Sequence, residues 1–334
     1  MTGDGPDFER LEDISRRQFL AGAGGTAVGV GAVRAVDNVI LGYGELGYGT
    51  NLKQQDLSAV LTENLDPSYD ERVAGTRVRL DDGGVVAGDR RLEFGTDGRE
   101  AARELDAELG ADGRLAELFV DARDLAAGAY EMAFSQPTPF FERVRAAGGR
   151  PDLVAALRGR EDRRVDPELV REFAGVDPAR PATLIEALVE AFRERASYDI
   201  PRYTAGSVED NVIFGAADLR GYFETDVSFE AITSREETGL FCWELAVRSQ
   251  EALESVGPWT QRAPVATCYV QDRRHKHAFT GVASAVREDG DLVVPVTFVD
   301  YTHSTLYDDL NLTPVMGRGL AAYDDRHRAT AAFW

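Results

Sequence analysis

Three residues near the end of the chain carry side chains that could cooperate in nucleophilic chemistry: Cys242, His277 and Asp300. Cys242 opens a segment, 242–253, whose apolar spacing predicts a helix that ends before Gly257. A thiol at a helix N-terminus faces backbone N–H groups and the positive end of the helix dipole, which favour the nucleophilic thiolate. A thiolate also needs an imidazole to handle protons and a third polar group to orient that imidazole. These residue types therefore predict nucleophilic chemistry by a cysteine thiolate.

Two predicted strands would carry the imidazole and the carboxylate. His277 begins the candidate strand 277–286, and Asp300 ends the candidate strand 292–300. The dipeptide Asp289–Gly290 lies between them and is a strong signal for a tight hairpin. The sequence therefore predicts an antiparallel pair with the two polar residues at the same end.

The register of this hairpin decides whether the two side chains meet. With a two-residue turn, His277 lies opposite Thr302 and Asp300 lies opposite Phe279. The even offset places His277 and Asp300 on one sheet face, on a diagonal of about 7–8 Å between Cα atoms. The rest of that face is apolar, which fits a sheet packed on the helix that bears Cys242. Its members are Phe279, Gly281, Ala283, Val294, Val296 and Phe298.

The other predicted elements come from periodicity and turn residues. They are short strands with tight turns over 76–94, a helical stretch over 99–132, short helices over 140–147 and 151–157, a helix over 182–196 and a strand over 263–271.

Three short motifs resemble the transglutaminase-like superfamily of papain-like cysteine enzymes. They are Cys242-Trp243-x-x-Ala246 at a helix start, His277-Ala278-Phe279 on a strand, and Asp300-Tyr301-Thr302 closing the next strand. The resemblance covers residues 181–305. It implies an α+β core in which a helix with an N-terminal cysteine packs on an antiparallel sheet.

The resemblance also implies roles for these residues. Cys242 would be the nucleophile, His277 the general base and acid, and Asp300 the residue that orients His277. The substrate would be a protein or peptide amide, and the thioester would pass to water or to an amine. Hydrolysis is preferred because prokaryotic-looking members of the family are mostly regarded as hydrolases. The backbone N–H of Cys242 would be the first oxyanion donor, with the second in the loop 233–238. This mechanism needs no metal or organic cofactor.

Three other interpretations remain open. In an exported protein a Cys242–Cys268 disulfide would abolish the mechanism. A transglutaminase-like fold could also be a catalytically silent binding or scaffolding module at the cell surface. The third alternative is a zinc site, because Cys268, His275, His277 and His303 are ligand types that zinc accepts, although no compact ligand spacing appears.

The first thirty-five residues resemble a twin-arginine export signal. Arg16 and Arg17 precede a small-residue apolar run over 21–33, which Arg34 closes. The run is too short and too rich in glycine for a membrane anchor, so we expect export by the twin-arginine translocase to the cell surface or beyond. The chain then divides into a signal peptide over 1–35, a linker or extended arm over 36–65, a mixed α/β N-terminal domain over 66–176 and the catalytic domain over 181–334. No stable membrane span is expected.

The charge balance limits the partners. The formal net charge is −21, and Lys53 and Lys276 are the only lysines. Nucleic acid is bound through clustered basic residues, so this composition argues against a nucleic-acid partner. An acidic, lysine-poor chain is typical of adaptation to multimolar salt, where the Debye length falls to about 3 Å. We therefore expect a protein or peptide substrate, with the cell envelope as one source.

Overall fold

Helices and strands are interleaved along the described part of the chain, which confirms a mixed α+β class. The export signal predicted for 1–35 lies outside the described residues, as does the stretch 36–55 of the predicted arm. The structure, a computed structural model, describes residues 56–95, 97–159, 165–199, 201–202, 205–206, 209, 218–235, 238–273, 277–302 and 329–334.

The last part of the predicted arm is helical. Residues Leu57–Thr62 form helix α1, which begins where the Asp56 carboxylate accepts a hydrogen bond from the Ala59 N–H at 3.1 Å. Leu57 and Leu61 are buried. The prediction of a linker or extended arm over 36–65 is therefore wrong for these residues, because two apolar side chains four positions apart give the segment a face to bury.

A four-stranded antiparallel meander follows and confirms the short strands predicted over 76–94. Tight turns connect its strands, and Gly83, between the second and third, has a positive φ of 75° that suits glycine. The strands pair in chain order: β1 Asp70–Val73, β2 Thr76–Asp81, β3 Gly84–Ala87 and β4 Arg90–Glu93.

The helical stretch predicted over 99–132 is two helices and a strand. Helix α2 spans Gly98–Leu109, helix α3 spans Arg114–Ala126, and strand β5 spans Tyr130–Phe134. Gly110, at φ 64°, ends α2 in the left-handed conformation that commonly terminates helices. The helical prediction is therefore confirmed for α2 and α3 and is wrong for residues 130–132, which belong to β5.

The next four helices all carry a proline in their first turn, where its fixed φ and missing N–H suit a helix start. The short helices predicted over 140–147 and 151–157 and the helix over 182–196 are confirmed within a few residues. The four helices are α4 Pro137–Ala147, α5 Pro151–Leu157, α6 Pro167–Ala174 and α7 Pro181–Arg195.

The segment after α7 forms a small parallel sheet and the helix that carries the cysteine. Strand β6 pairs in parallel with β7, and a short 3₁₀ turn over Gly221–Phe223 lies between them in the chain. The elements are β6 Ala196–Tyr198, α8 Phe229–Ser234, β7 Thr238–Leu240 and α9 Cys242–Glu254.

The central sheet has the order β10-β11-β9-β8-β12. A sixth strand, β5, lies off this path and also pairs with β11. Asp289 and Gly290 form the turn between β10 and β11 with φ of 50° and 95°, as a two-residue type I′ hairpin requires. The pairing Val296↔Ala283 places β9 and β11 in the predicted register. The strands are β8 Ala266–Asp272, β9 His277–Ala283, β10 Val286–Glu288, β11 Asp291–Val299 and β12 Ala331–Phe333.

The predicted boundary between 66–176 and 181–334 does not separate two cores. Strand β5, from the earlier segment, pairs in parallel with β11 from Leu292↔Tyr130 to Val296↔Phe134. Phe140 and Phe173 likewise share a buried cluster with Leu188 and Val282. The two segments are built into one sheet and its covering helices.

Both faces of the central sheet are buried, and different elements cover them. The face that we call the apolar face packs against Leu57 and Leu61 of α1, and Ala332 of the edge strand β12 extends it. It comprises Cys268, Val270, Phe279, Ala283, Val294, Val296 and Phe298. The opposite face, which we call the helix face, packs against α9 and comprises Thr267, Tyr269, Thr280, Val282, Thr297 and Val299.

Helix α9 therefore lies on the face opposite to the one we expected. The sequence favoured the face that carries Phe279 and Phe298, but α9 contacts Thr280 and Thr267 instead. Ser249 and Glu254, buried polar residues of α9, find hydroxyl partners only on a face that carries threonines. The cysteine at the helix N-terminus thus approaches the imidazole at the end of the sheet, where β9 begins.

Candidate active site

Helix α9 begins at Cys242, as the sequence predicted. Phe241 is extended, with φ −93° and ψ 165°, and its backbone N–H donates to Glu244 Oε2 at 2.6 Å. Glu244 is the third residue of the helix, where an acidic side chain commonly reaches back to cap the helix start. The thiol therefore belongs to the first helical residue, and Cys242 is buried, with 6% of its surface exposed.

His277 and Asp300 are in contact at the end of the sheet. His277 is the first residue of β9, Asp300 directly follows β11, and His277 Nε2 is hydrogen-bonded to Asp300 Oδ2. The other carboxylate oxygen, Oδ1, accepts from the Thr302 backbone N–H at 3.0 Å. Both site side chains are fully buried. The predicted register thus brings imidazole and carboxylate together, and the Thr302 N–H fixes which oxygen faces the ring.

Cys242 lies close enough to His277 to affect its protonation. Burial by itself would lower the pKa of His277, but the charge and hydrogen bond of Asp300, with a hydrogen bond and charge from Cys242, raise that pKa to about 10. The structure therefore gathers all three predicted residues, with an imidazole that is protonated near neutral pH.

The two cysteines are not joined in a disulfide. Cys268 points into the apolar face, where its Sγ fills the space beside Gly281; a Cβ built on that glycine would lie 2.5 Å from the sulfur. Cys242 lies at the N-terminus of α9, which packs on the opposite face. The sheet therefore separates the two thiols, contrary to the disulfide considered from sequence.

The described residues contain no group of three or more His, Cys, Asp or Glu side chains that could hold a metal ion. Of the residues considered for zinc, His275 and His303 lie outside the described part. His277, which is described, is hydrogen-bonded to Asp300.

Sequence reasoning missed a buried ionic cluster beside the helix start. Arg202 pairs with Glu244 and, through Nε at 3.3 Å, with Asp199 Oδ2. All three residues are buried. The one available signal was Glu244 at the third helical position, half of a capping-box pattern; nothing in the sequence indicates that residues about forty positions upstream meet it.

The middle and the far end of α9 are attached to the helix face by hydroxyl groups. Ser249 Oγ and Thr280 Oγ1 are 2.6 Å apart, and Glu254 Oε1 accepts from both the N–H and the hydroxyl of Thr267 at 2.7 Å. These bonds fix the position of α9 along the sheet and thereby the distance of its N-terminus from β9.

Trp243 follows the cysteine and is 47% exposed, although its neighbours in α9 are buried. An indole that is open to solvent beside a nucleophile can provide a wall for a bound substrate. Of the two predicted oxyanion donors, the Cys242 N–H lies at the helix start, while the loop 233–238 is described only in part, since 236–237 lie outside the described residues.

Among the described residues no helix is long and apolar enough to cross a bilayer. No protein-family model matches the chain, and the searches of curated proteins and of solved structures found no match. The likeness to transglutaminase-like enzymes thus rests on three short motifs, beside the contacts that the structure gives their residues.

Proposed function

We propose that the protein is a cysteine-dependent acyl-transfer enzyme that acts on amide or peptide bonds through Cys242, His277 and Asp300. The observation that carries this proposal is the hydrogen bond between the buried His277 imidazole and the Asp300 carboxylate, beside a helix-terminal thiol that lies close enough to raise the pKa of that imidazole. That combination supplies a nucleophile, a proton carrier and an orienting group in one place. The transglutaminase-like core is part of the same proposal.

The proposed reaction is acyl transfer through a thioester on Cys242. The Cys242 thiolate attacks the carbonyl carbon, and protonated His277 donates its proton to the departing amine as the C–N bond breaks. Neutral His277 then takes a proton from water, whose oxygen attacks the thioester and releases the acid and the thiolate. Asp300 keeps the imidazole oriented and favours its charged form. An amine in place of water would give cross-linking; hydrolysis is the outcome that we prefer.

We also propose that the enzyme works outside the cytosol in high salt. The paired Arg16 and Arg17 before an apolar run support export through the twin-arginine translocase, and the charge of −21 supports salt adaptation. Proteins or peptides of the cell envelope are the proposed substrates. Replacement of both arginines by lysine should keep the protein in the cell, and export of that variant would contradict this part of the proposal.

Thiol titration with mass mapping tests the catalytic proposal. In native protein at high salt, iodoacetamide should modify Cys242 faster than Cys268, because Cys242 is at a helix terminus beside a protonated imidazole. Cys242→Ala and His277→Ala should abolish hydrolysis of peptide amides and leave the fold intact by circular dichroism. Cys268→Ala is the matched control and should keep activity.

One observation favours a second candidate, a catalytically silent module. Cys242 is 6% exposed, and the side chains of His277 and Asp300 are fully buried, so the site is closed in this structure. A silent module predicts that Cys242 reacts no faster than Cys268 and that Cys242→Ala leaves partner binding unchanged. Preferential labelling of Cys242 would rule it out.

A further inference from the structure

A buried ionic cluster of Asp199, Arg202 and Glu244 surrounds the start of α9. The guanidinium of Arg202 bonds to Glu244 Oε2 and lies 3.3 Å, from its Nε, to Asp199 Oδ2. The exposed surface is 9% for Asp199, 5% for Arg202 and 2% for Glu244. Charges so far from water require close partners, and here each one has an opposite charge beside it.

The cluster holds the residue that precedes the cysteine. Glu244 Oε2, the atom that binds Arg202, also accepts from the Phe241 backbone N–H at 2.6 Å. The Arg202 guanidinium lies over the Phe241 ring, 4.1 Å from its centroid. Phe241 is therefore fixed through both its backbone and its side chain, and Cys242 is the next residue.

The same cluster joins two strands that are distant in sequence. The Asp199 N–H donates to the Leu240 carbonyl at 3.2 Å, and Asp199 Oδ1 accepts from the Arg202 N–H at 2.9 Å. Gly239 allows this approach, because a Cβ at that position would lie 2.8 Å from the Asp199 carboxyl carbon. The segment that leads into Cys242 is thus held against the segment that follows β6.

We propose that Arg202 and Glu244 are positioning residues that set the place and orientation of the Cys242 thiol relative to His277. This inference rests on the proposed function. Buried ion pairs are inefficient stabilisers, since apolar residues of similar size often serve as well, whereas they fix geometry through directional contacts. A small displacement of a reacting group can cost about a hundredfold in rate, so the effect should be seen in reactivity more than in binding.

The experiment measures the alkylation rate of Cys242 by iodoacetamide, together with kcat and KM for a peptide amide, in Arg202→Met and Glu244→Gln. Glu244→Gln is the milder variant, because the amide oxygen can still accept from Phe241 while the charge that holds Arg202 is gone. We expect alkylation and kcat to fall about tenfold or more in both variants, with KM little changed. Arg202→Lys, which keeps the charge but loses the planar fork and its contact with Phe241, should recover only part of the loss.

Arg158→Met is the matched control. Arg158 is also buried, but it binds at the other end of α9, where its Nη1 donates to the Val256 carbonyl at 2.8 Å and its Nε to the Val265 carbonyl at 2.9 Å. The Arg158→Met substitution should lower the unfolding midpoint without changing the alkylation rate of Cys242. If Arg202→Met and Glu244→Gln slow alkylation no more than Arg158→Met does, the positioning role is wrong and the cluster is structural. If wild-type Cys242 reacts no faster than Cys268, the proposed function itself fails.

Discussion

The two faces of the central sheet are both buried in apolar clusters, but the helix face adds hydrogen bonds between side chains to its apolar contacts. The apolar face packs aromatic and aliphatic side chains, such as Phe279 and Phe298, against α1. The helix face joins α9 through hydroxyl pairs, including Ser249 with Thr280. Hydrophobic contact tolerates sliding, because it is non-directional, whereas a hydrogen bond fixes one alignment.

This difference explains where the candidate site lies. On the helix face, directional bonds hold α9 in one register along β8 and β9, so that Cys242 arrives where β9 starts. On the apolar face, the ring of Phe279 packs beside the imidazole of His277, with 6.0 Å between the two ring centroids. The site forms at the end of the sheet, where an aligned helix and a packed strand meet.

The largest expected effect comes from the carboxylate at that meeting point. Asp300→Asn should lower kcat by about 10²–10⁴-fold, because the imidazole loses its orientation and its charge partner. Asp300 raises the pKa of His277, so the alkaline limb of the kcat/KM profile should move to lower pH in the variant. Profiles of the two proteins measure both effects, and an unmoved alkaline limb would contradict the assigned pairing.

Stability should fall as the solution becomes alkaline. The pKa of His277 is about 10 in the folded protein against a model value of 6.5, so the folded state retains a proton that the unfolded chain releases. The stabilisation is complete below about pH 6.5 and is lost as the pH rises to about 10. Urea unfolding across this range should show that the free energy of unfolding declines with rising pH, and the decline should be smaller in His277→Gln. Parallel curves for the two proteins would be the opposite result.

On the apolar face, Phe298→Ala should lower the free energy of unfolding by about 3–5 kcal/mol, the usual cost of removing a buried aromatic ring. Phe298 is 3% exposed and contacts the rings of Phe279 and Phe134. Phe333→Ala, at 38% exposure, is the control and should cost much less. Equal losses in urea denaturation would show that this face does not depend on close packing.

On the helix face, Glu254→Ala should cost about 1–3 kcal/mol, because the Thr267 N–H and hydroxyl lose their acceptor in a buried place. Glu254→Gln keeps an amide oxygen in the same position and should cost less. Urea denaturation of both variants makes the comparison. A similar cost for both would mean that hydrogen bonding does not hold this end of α9.

The smallest effect is expected at the hairpin turn, which lies away from both faces. Gly290→Ala should cost about 1–2 kcal/mol, since φ is 95° there and a side chain is disfavoured at positive φ. Asp289→Gly, at φ 50°, should be neutral or slightly stabilising. Thermal unfolding can resolve the two, and a cost at Asp289 larger than at Gly290 would argue against this turn geometry.

Local signals predicted the parts of the site that depend on neighbouring residues. The Asp289–Gly290 turn fixes the register of β9 and β11, and the register places His277 beside Asp300. The start of α9 at Cys242 was likewise readable from periodicity. The roles of these residues and the transglutaminase-like core remain predictions.

The other features could not be predicted from the sequence, because they depend on contacts between residues that are far apart in the chain. Every residue of β9 is buried, so alternation along that strand could not show which face α9 would take. Strand β5 was hidden at the end of a helical pattern, and its partner β11 lies far away in the chain. Arg202 and Glu244 look like ordinary surface charges in sequence, because only the fold brings them together.

The parallel strand β5 makes the two halves of the chain interdependent. It covers the backbone edge of β11, whose last residue adjoins Asp300. A fragment beginning near residue 181 would leave that edge open, with a row of unpaired N–H and C=O groups that invites pairing between molecules. Production of the C-terminal half by itself is therefore expected to give aggregates, and studies of the cysteine should begin from a chain that retains residues 130–134.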